Sequence, residues 1–209
     1  MSRQMAEGEL FIVSAPSGAG KTSLVDALIR ENDSLCVSVS HTTRSKRPKE
    51  RDGINYHFIE KARFQSMLEA GDFLESAEVY GHHYGTSKKW VTEQLEEGLT
   101  VILEIDWQGA AQIRAQFPQS CYIFIVPPSL EALTDRLRKR AQDNDAIIAR
   151  RMEEARAVMQ RVTDADFLVV NDDFTTALDE MRAIIQAWSL RVETQEAKLR
   201  PLLASLTEG

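Results

Sequence analysis

The chain has 209 residues, 43% hydrophobic and 27% charged, enough for one soluble α/β domain carrying an insertion. Its net charge of −7 argues against a general nucleic-acid or membrane-surface binder, while leaving room for local basic pockets. The longest apolar runs, such as Tyr122-Ile123-Phe124-Ile125-Val126, are far too short to cross a bilayer, and residues 1–8 carry no apolar signal core, so we expect a cytoplasmic protein.

In chain order, residues 10–14 read as a buried strand. The run Ala15-Pro16-Ser17-Gly18-Ala19-Gly20-Lys21-Thr22 follows, and residues 23–30 have helical spacing. Strand, Gly-rich turn and helix make the context a phosphate-binding loop requires. Glycines let successive backbone N–H groups turn inward, and the helix start adds partial positive charge. Lys21 is placed to reach outer phosphates, and the Thr22 hydroxyl to ligate Mg²⁺. The pattern G-x-x-x-x-G-K-[ST] is met with one departure, Ala15 standing at its first Gly. The motif indicates a nucleoside triphosphate but not the reaction.

Further strands are expected at 36–40, 101–105, 121–126 and 167–171. Strand–helix alternation argues for a parallel sheet covered on both faces, with ligands at the carboxyl ends of its strands. Residues 41–97 break the rhythm and read as an inserted α+β lobe, with strand-like pieces at 56–59 and 73–80 around a helix at 61–70. Helices are expected at 87–97, 129–141 and 146–162, with a polar break at 142–145. A helical tail from 174 to about 206 is expected to be interrupted before Pro201. The tail leaves both packing on the core and a homo-oligomer open. Cys36 and Cys121 read as buried free thiols, and the four His residues show no metal-ligand spacing.

Three groups of residues carry chemistry. Glu104 and Asp106 close the third core strand and alternate with Ile105; they fit organisation of Mg²⁺ or its water shell, or simply loop acids. The basic stretch 42–48 contains Arg44 and Arg47 and precedes Tyr56; it fits a second phosphate site or a solvated loop. Arg136 and Arg140 share a helix face, and Arg150 and Arg151 follow the polar break. These arginines fit a hinged clamp over a triphosphate, or exposed pairs with Asp135 and Glu153.

Taken together the motifs resemble the bacterial guanylate kinases. The matching pieces run from Ser14 through Thr22, then Ser38-Val39-Ser40-His41-Thr42-Thr43-Arg44 and Asp52-Gly53-Ile54-Asn55-Tyr56-His57-Phe58. They continue with Phe73-Leu74-Glu75, Tyr84-Gly85-Thr86, Ile105-Asp106-Trp107-Gln108-Gly109, Pro127-Pro128-Ser129 and Val170-Asn171-Asp172-Asp173. They stand in family order over roughly residues 8–190. The resemblance implies a P-loop three-layer α/β sandwich. Its parallel-sheet core would take residues 1–40, 98–136 and 152–209, its GMP-binding lobe 41–97 and its helical lid 137–151.

It also implies ATP-dependent phosphorylation of GMP, with dGMP as a further acceptor and Mg²⁺ entering as MgATP. Residues 15–22 and Asn171 would bind ATP, with Lys21 on its phosphates. Arg44, Arg47, Tyr56 and Tyr84 would cage the GMP phosphate, and Ser40, Glu75, Thr86 and Asp106 would read guanine. Arg136, Arg140 and Arg151 would clamp the transferring group, and Thr22 with Glu104, the latter through water, would serve the metal. The base assignment agrees with chemistry: guanine offers N1–H and an exocyclic amine side by side, and one carboxylate accepts both. Adenine offers a bare N1 there, leaving a buried Glu75 unpaired.

Departures from the family are Glu104 in place of the usual Asp, and Arg138-Lys139-Arg140-Ala141 where relatives often carry glycines. The tail past about residue 190 lies outside the resemblance. Two rivals remain to be weighed: a guanylate-kinase-like scaffold module, which typically lacks an intact phosphate loop, and a P-loop kinase for AMP, UMP or dTMP, which the Glu75, Thr86 and Asp106 set opposes.

Overall fold

The computed structural model describes residues 8–139 and 145–207. Five strands, β1 (Leu10–Ser14), β2 (Leu35–Val37), β7 (Thr100–Glu104), β8 (Cys121–Val126) and β9 (Phe167–Val170), form a parallel sheet ordered β2-β7-β1-β8-β9. Alternation along β1 splits the core in two. Phe11 and Val13 face α1 (Lys21–Glu31) and α7 (Phe174–Ser189), in a cluster with Leu24, Leu28, Ala177 and Met181. Leu10 and Ile12 face α3 (Lys88–Glu96) and α4 (Trp107–Gln116), with Val91, Ala110, Ile113 and Tyr122. Such two-sided burial is why these strands read as continuous apolar runs.

A second sheet is ordered β4-β3-β6-β5, from β3 (His41–Thr42), β4 (His57–Phe58), β5 (Phe73–Val79) and β6 (His82–Ser87). Helix α2 (Lys61–Glu69) buries Phe64 against it, stacked on Phe73 at 4.7 Å between ring centroids. Helices α5 (Leu130–Lys139) and α6 (Asp145–Met159) pack through Leu133, Leu137, Met152 and Ala155. Helix α8 (Val192–Thr207) ends the described chain, with Lys198 Nζ 3.6 Å from Glu9.

Three expectations change. The strand expected at 36–40 stops at Val37: Ser38 still donates its N–H to Ile102, but the chain then leaves the core and re-pairs from His41 in the second sheet. Strand β6 was not expected, because His82-His83-Tyr84-Gly85-Thr86-Ser87 has little apolar alternation; pairing with β5 across the Tyr80–Gly81 turn makes it a strand. The tail breaks at 190–191, while Pro201 lies inside α8. That helix has no buried residue, so water can satisfy the carbonyl a proline leaves unbonded. Cys121 is buried and Cys36 half-buried; both are free thiols whose pKa burial raises.

Candidate active site

The strand order reverses at β1, so the loop leaving it opens into the crevice where open α/β sheets bind ligands. Gly18 and Gly20 take φ of 94° and 97°, a region that favours glycine, and Gly20 starts α1 with no side-chain cap. The first N–H groups of the helix are thus left for a ligand. A Cβ at Gly20 would lie 2.2 Å from Asn171 Nδ2, so the loop passes against that side chain with no room to spare.

Asn171 itself is buried and donates Nδ2–H to the Ala19 carbonyl at 2.7 Å. Its own carbonyl accepts Arg136 Nη2 at 2.8 Å. One residue therefore ties the phosphate loop to helix α5. Arg136 Nη1 is buried and finds no partner among the described residues, leaving a donor for an anion. Arg151 lies on α6, which packs on the helix bearing Arg136. Arg140 lies outside the described residues.

Lys21 reaches across to the Ile105 carbonyl, 3.4 Å from Nζ, which also accepts Ser14 Oγ at 2.8 Å. Burial lowers its pKa, while the carboxylates of Glu104, Asp106 and Glu75 pull it back up. Beside it, Thr22 Oγ1 donates to Glu104 Oε2 at 2.8 Å, and burial raises the pKa of Glu104. Pairing of Val13 with Glu104 in the sheet is what brings strand end and loop together. Glu104 and Asp106 do different work: β7 ends at Glu104, and Asp106 caps α4 by accepting Gly109 N–H at 2.9 Å.

On the second sheet, Glu75 and Thr86 are cross-strand partners, both buried, and Thr86 Oγ1 donates to Glu75 Oε1 at 2.5 Å. Burial pushes the Glu75 carboxyl up to about 7, against the Thr86 hydrogen bond and with the nearby Asp106 charge adding to the rise. Ser40 is buried where the chain enters this sheet. Arg44 stacks over Tyr56 at 5.4 Å and Phe58 at 5.6 Å, and Tyr56 meets Tyr84 edge-on at 5.7 Å. Burial, with Tyr84 adding, raises the Tyr56 phenol to about 12, so its hydroxyl hydrogen remains available to an anion at neutral pH.

Sequence reasoning missed Glu50. It grips Arg44 through both oxygens, at 2.8 and 3.0 Å, and accepts Arg47 N–H at 2.8 Å. It thereby fixes the geometry of the basic loop. A lone acid three residues after Arg47 was the available signal. The site thus sets a glycine-turned loop with a half-buried Lys21 opposite a second anion-ready cluster and the buried Glu75 carboxylate.

Comparison with known proteins gives the family of the chain. A family model described as guanylate kinase matches residues 7–188. The guanylate kinase of Vibrio cholerae is 50% identical over 204 residues, covering 97% of this chain and 99% of its own. That of Coxiella burnetii is 53% identical over 204 residues, covering 98% and 99%. The crystal structure of guanylate kinase from Anaplasma phagocytophilum superposes with a TM-score of 0.79 at 28% identity, covering 96% of each chain. By the family model and by these relatives alike, the chain belongs to the guanylate kinase family.

Proposed function

We propose that the loop at 15–22 holds the triphosphate of ATP, that the second sheet holds GMP, and that the γ-phosphoryl group passes in line between them. The overall reaction, ATP-dependent phosphorylation of GMP to GDP, is that of the family. The observation carrying the residue-level reading is Glu75, a carboxylate 4% exposed and aligned by Thr86, in the electrostatic reach of both Asp106 and Lys21. Its oxygens accept N1–H and the exocyclic amine of guanine, with Ser40, Thr86 and Asp106 completing the edge. Glu50 takes one hydrogen from each of Nη1 and Nη2 of Arg44 and the Ser45 carbonyl the other on Nη1, so Nε–H and the second Nη2–H fork the GMP phosphate, together with Arg47, Tyr56 and Tyr84.

A phosphate oxygen of GMP attacks the γ-phosphorus, and the bond to the bridging oxygen of ADP breaks. Phosphate is already largely ionised at neutral pH, so no general base is needed. The protein contributes position and charge: Lys21 on the donor phosphates, and Arg136, Arg140 and Arg151 on the transferring group. The free Nη1 of Arg136 supports that role. Asn171, expected among the ATP-binding residues, also holds the loop and Arg136 in one frame. Thr22 and Glu104 offer adjacent hard oxygens that fit Mg²⁺ bound partly through water, and a half-buried carboxylate of raised pKa gains from a cation. When bound with ATP, the ion neutralises phosphate charge. We divide the chain as the sequence suggests, with a core at 1–40, 98–136 and 152–209, a GMP lobe at 41–97 and a lid at 137–151 that closes to exclude water.

Among the described residues no helix is long and apolar enough to cross a membrane, and a cytoplasmic site of action with its ATP supply goes with the reading. Exposed Leu190, Val192, Leu202 and Leu206 on the tail support a homo-oligomer.

Coupled-assay ADP formation with MgATP and each monophosphate in turn tests the reading. Strong turnover with GMP and little with AMP, UMP or dTMP is expected; preference for another base would overturn the guanine assignment. Arg44→Met removes the forked contact. It should raise the KM for GMP by about 10- to 100-fold, as losing a hydrogen bond to a charged group does. The KM for ATP should move by less than about threefold. An unchanged GMP KM would count against the phosphate cage.

A further inference from the structure

Glu75 owes its position to an element that no contact with substrate would reveal. The N-terminal part of α4 lies directly against it. A Cβ built on Gly109 would stand 2.4 Å from Glu75 Oε2, 3.0 Å from its Cδ and 3.4 Å from its Cγ. The first separation is shorter than any ordinary carbon contact and the second is tight, so either the helix or the carboxylate would have to move.

The helix is not free to move. Strand β5 is an edge of the second sheet, and a row of glutamines on α4 hydrogen-bonds its open backbone. Gln112 Nε2 donates to the Ser76 carbonyl at 2.8 Å, and its Oε1 accepts Ser76 N–H at 3.1 Å. Gln116 Nε2 donates to the Leu74 carbonyl at 2.8 Å, and Gln108 reaches the Glu78 carbonyl at 3.4 Å. The spacing of four keeps these three side chains on one helix face. They flank Glu75 on both sides and fix the helix to the strand in one register. Asp106 accepts Gly109 N–H at 2.9 Å and pins the helix start as well. Ala110 and Ile113 are buried in the core on the same helix. The Glu75 end is held by Thr86 on its other oxygen, so the carboxylate sits between a hydroxyl and a bare backbone.

We propose that Gly109 is a specificity-determining positioning residue: its missing side chain sets the depth at which the Glu75 carboxylate meets the guanine edge, and the Gln108, Gln112 and Gln116 ladder holds that depth constant. The inference rests on the assignment of Glu75 to guanine. Helix propensity alone would make Gly109→Ala favourable, since Ala is the better helix former, so conformational preference does not explain a glycine here.

The test uses the full-length enzyme and compares GMP with IMP, which keeps N1–H but lacks the exocyclic amine. Gly109→Ala should raise the KM for GMP by about 10- to 100-fold, leave the KM for ATP within about twofold, and shrink the preference for GMP over IMP toward one. Glu75→Asp shortens the carboxylate arm and vacates the contested space. In that background Gly109→Ala should change the GMP KM by less than about threefold, a coupling that a merely structural role would not produce. Should Gly109→Ala alone not fold, the double variant carries the test: a GMP KM matching that of Glu75→Asp supports the proposal, and one more than about tenfold higher overturns it. A GMP KM within twofold of the parent for Gly109→Ala also overturns it. If instead Glu75→Asp leaves the GMP-over-IMP preference intact, the guanine assignment of Glu75 itself has failed.

Discussion

Replacing Lys21 with Ala should lower kcat by about 10²- to 10³-fold, the loss seen when one preorganised donor to a transition-state oxygen is removed. Lys21 is set among Glu104, Asp106 and Glu75; burial lowers its pKa, and those carboxylates act against that fall. In the transition state, charge builds on the phosphoryl oxygens and on the bridging oxygen of ADP. A cation partly withdrawn from water is worth more there than a fully solvated one. The fold should survive, because the loop is held independently by the Asn171 amide on Ala19 and by burial of Ala19. The GMP KM should change far less than kcat, since Lys21 donates to the Ile105 carbonyl and acts on Glu75 of the second sheet only through its charge. Circular dichroism and steady-state kinetics together decide the matter; near-normal turnover in folded protein would remove Lys21 from the mechanism.

Glu75→Gln should lower kcat/KM for GMP by roughly 10²-fold, equal to about 3 kcal/mol from losing charge-assisted hydrogen bonds and facing an amide N–H against a donor. Preference for GMP over AMP should erode in step, and full retention of that preference would contradict the guanine site. Acidity adds a second signature. In the free protein the Glu75 carboxyl sits at about 7, raised chiefly by burial. Only the carboxylate accepts both guanine donors, so below pH 7 GMP binding must expel a proton. The apparent GMP KM should then rise by up to about tenfold for each pH unit below about 7, level off above it, and lose this slope in Glu75→Gln. Stability runs the other way. The folded pKa lies above the ordinary 4.5, so protonated Glu75 stabilises the fold fully below pH 4.5, and this contribution is lost as pH rises through about 7. By pH 8 the loss is of order 3 kcal/mol. Glu75→Gln, still able to accept from Thr86, should therefore melt higher than the parent protein at pH 8 and similarly at pH 4.5. A flat GMP KM between pH 5.5 and 8 would show that burial does not control this carboxyl.

Much of the molecule can be read from the chain without coordinates. The core strands announce themselves because burial on both faces leaves no room for polar residues: the expected limits of β1 and β8 match the structure residue for residue. The phosphate loop is equally legible, since its glycines answer a local backbone demand, φ of 94° and 97°, that only a short stretch of sequence has to meet. The family resemblance, too, lives in short local motifs, and the family match over residues 7–188 agrees with its extent.

What the tertiary structure decides is every relation between residues far apart in sequence. Strand β6 exists because β5 offers it a partner, not because His82–Ser87 has a strand's composition. Pro201 is tolerated inside α8 because that helix lies on the surface, whereas a local rule ends the helix before it. The tie from Asn171 to Ala19 spans 152 positions, and the Arg136 bond to the Asn171 carbonyl spans 35. Glu50 is an unremarked acid in a basic run until the loop folds it onto Arg44. Gly109 reads as a weak point in a helix until Glu75 is found 2.4 Å from where its Cβ would stand. Propensity and periodicity are properties of neighbours along the chain. Depth, clearance and the electrostatic field at a buried carboxylate are properties of neighbours in space, and only the packed molecule sets them.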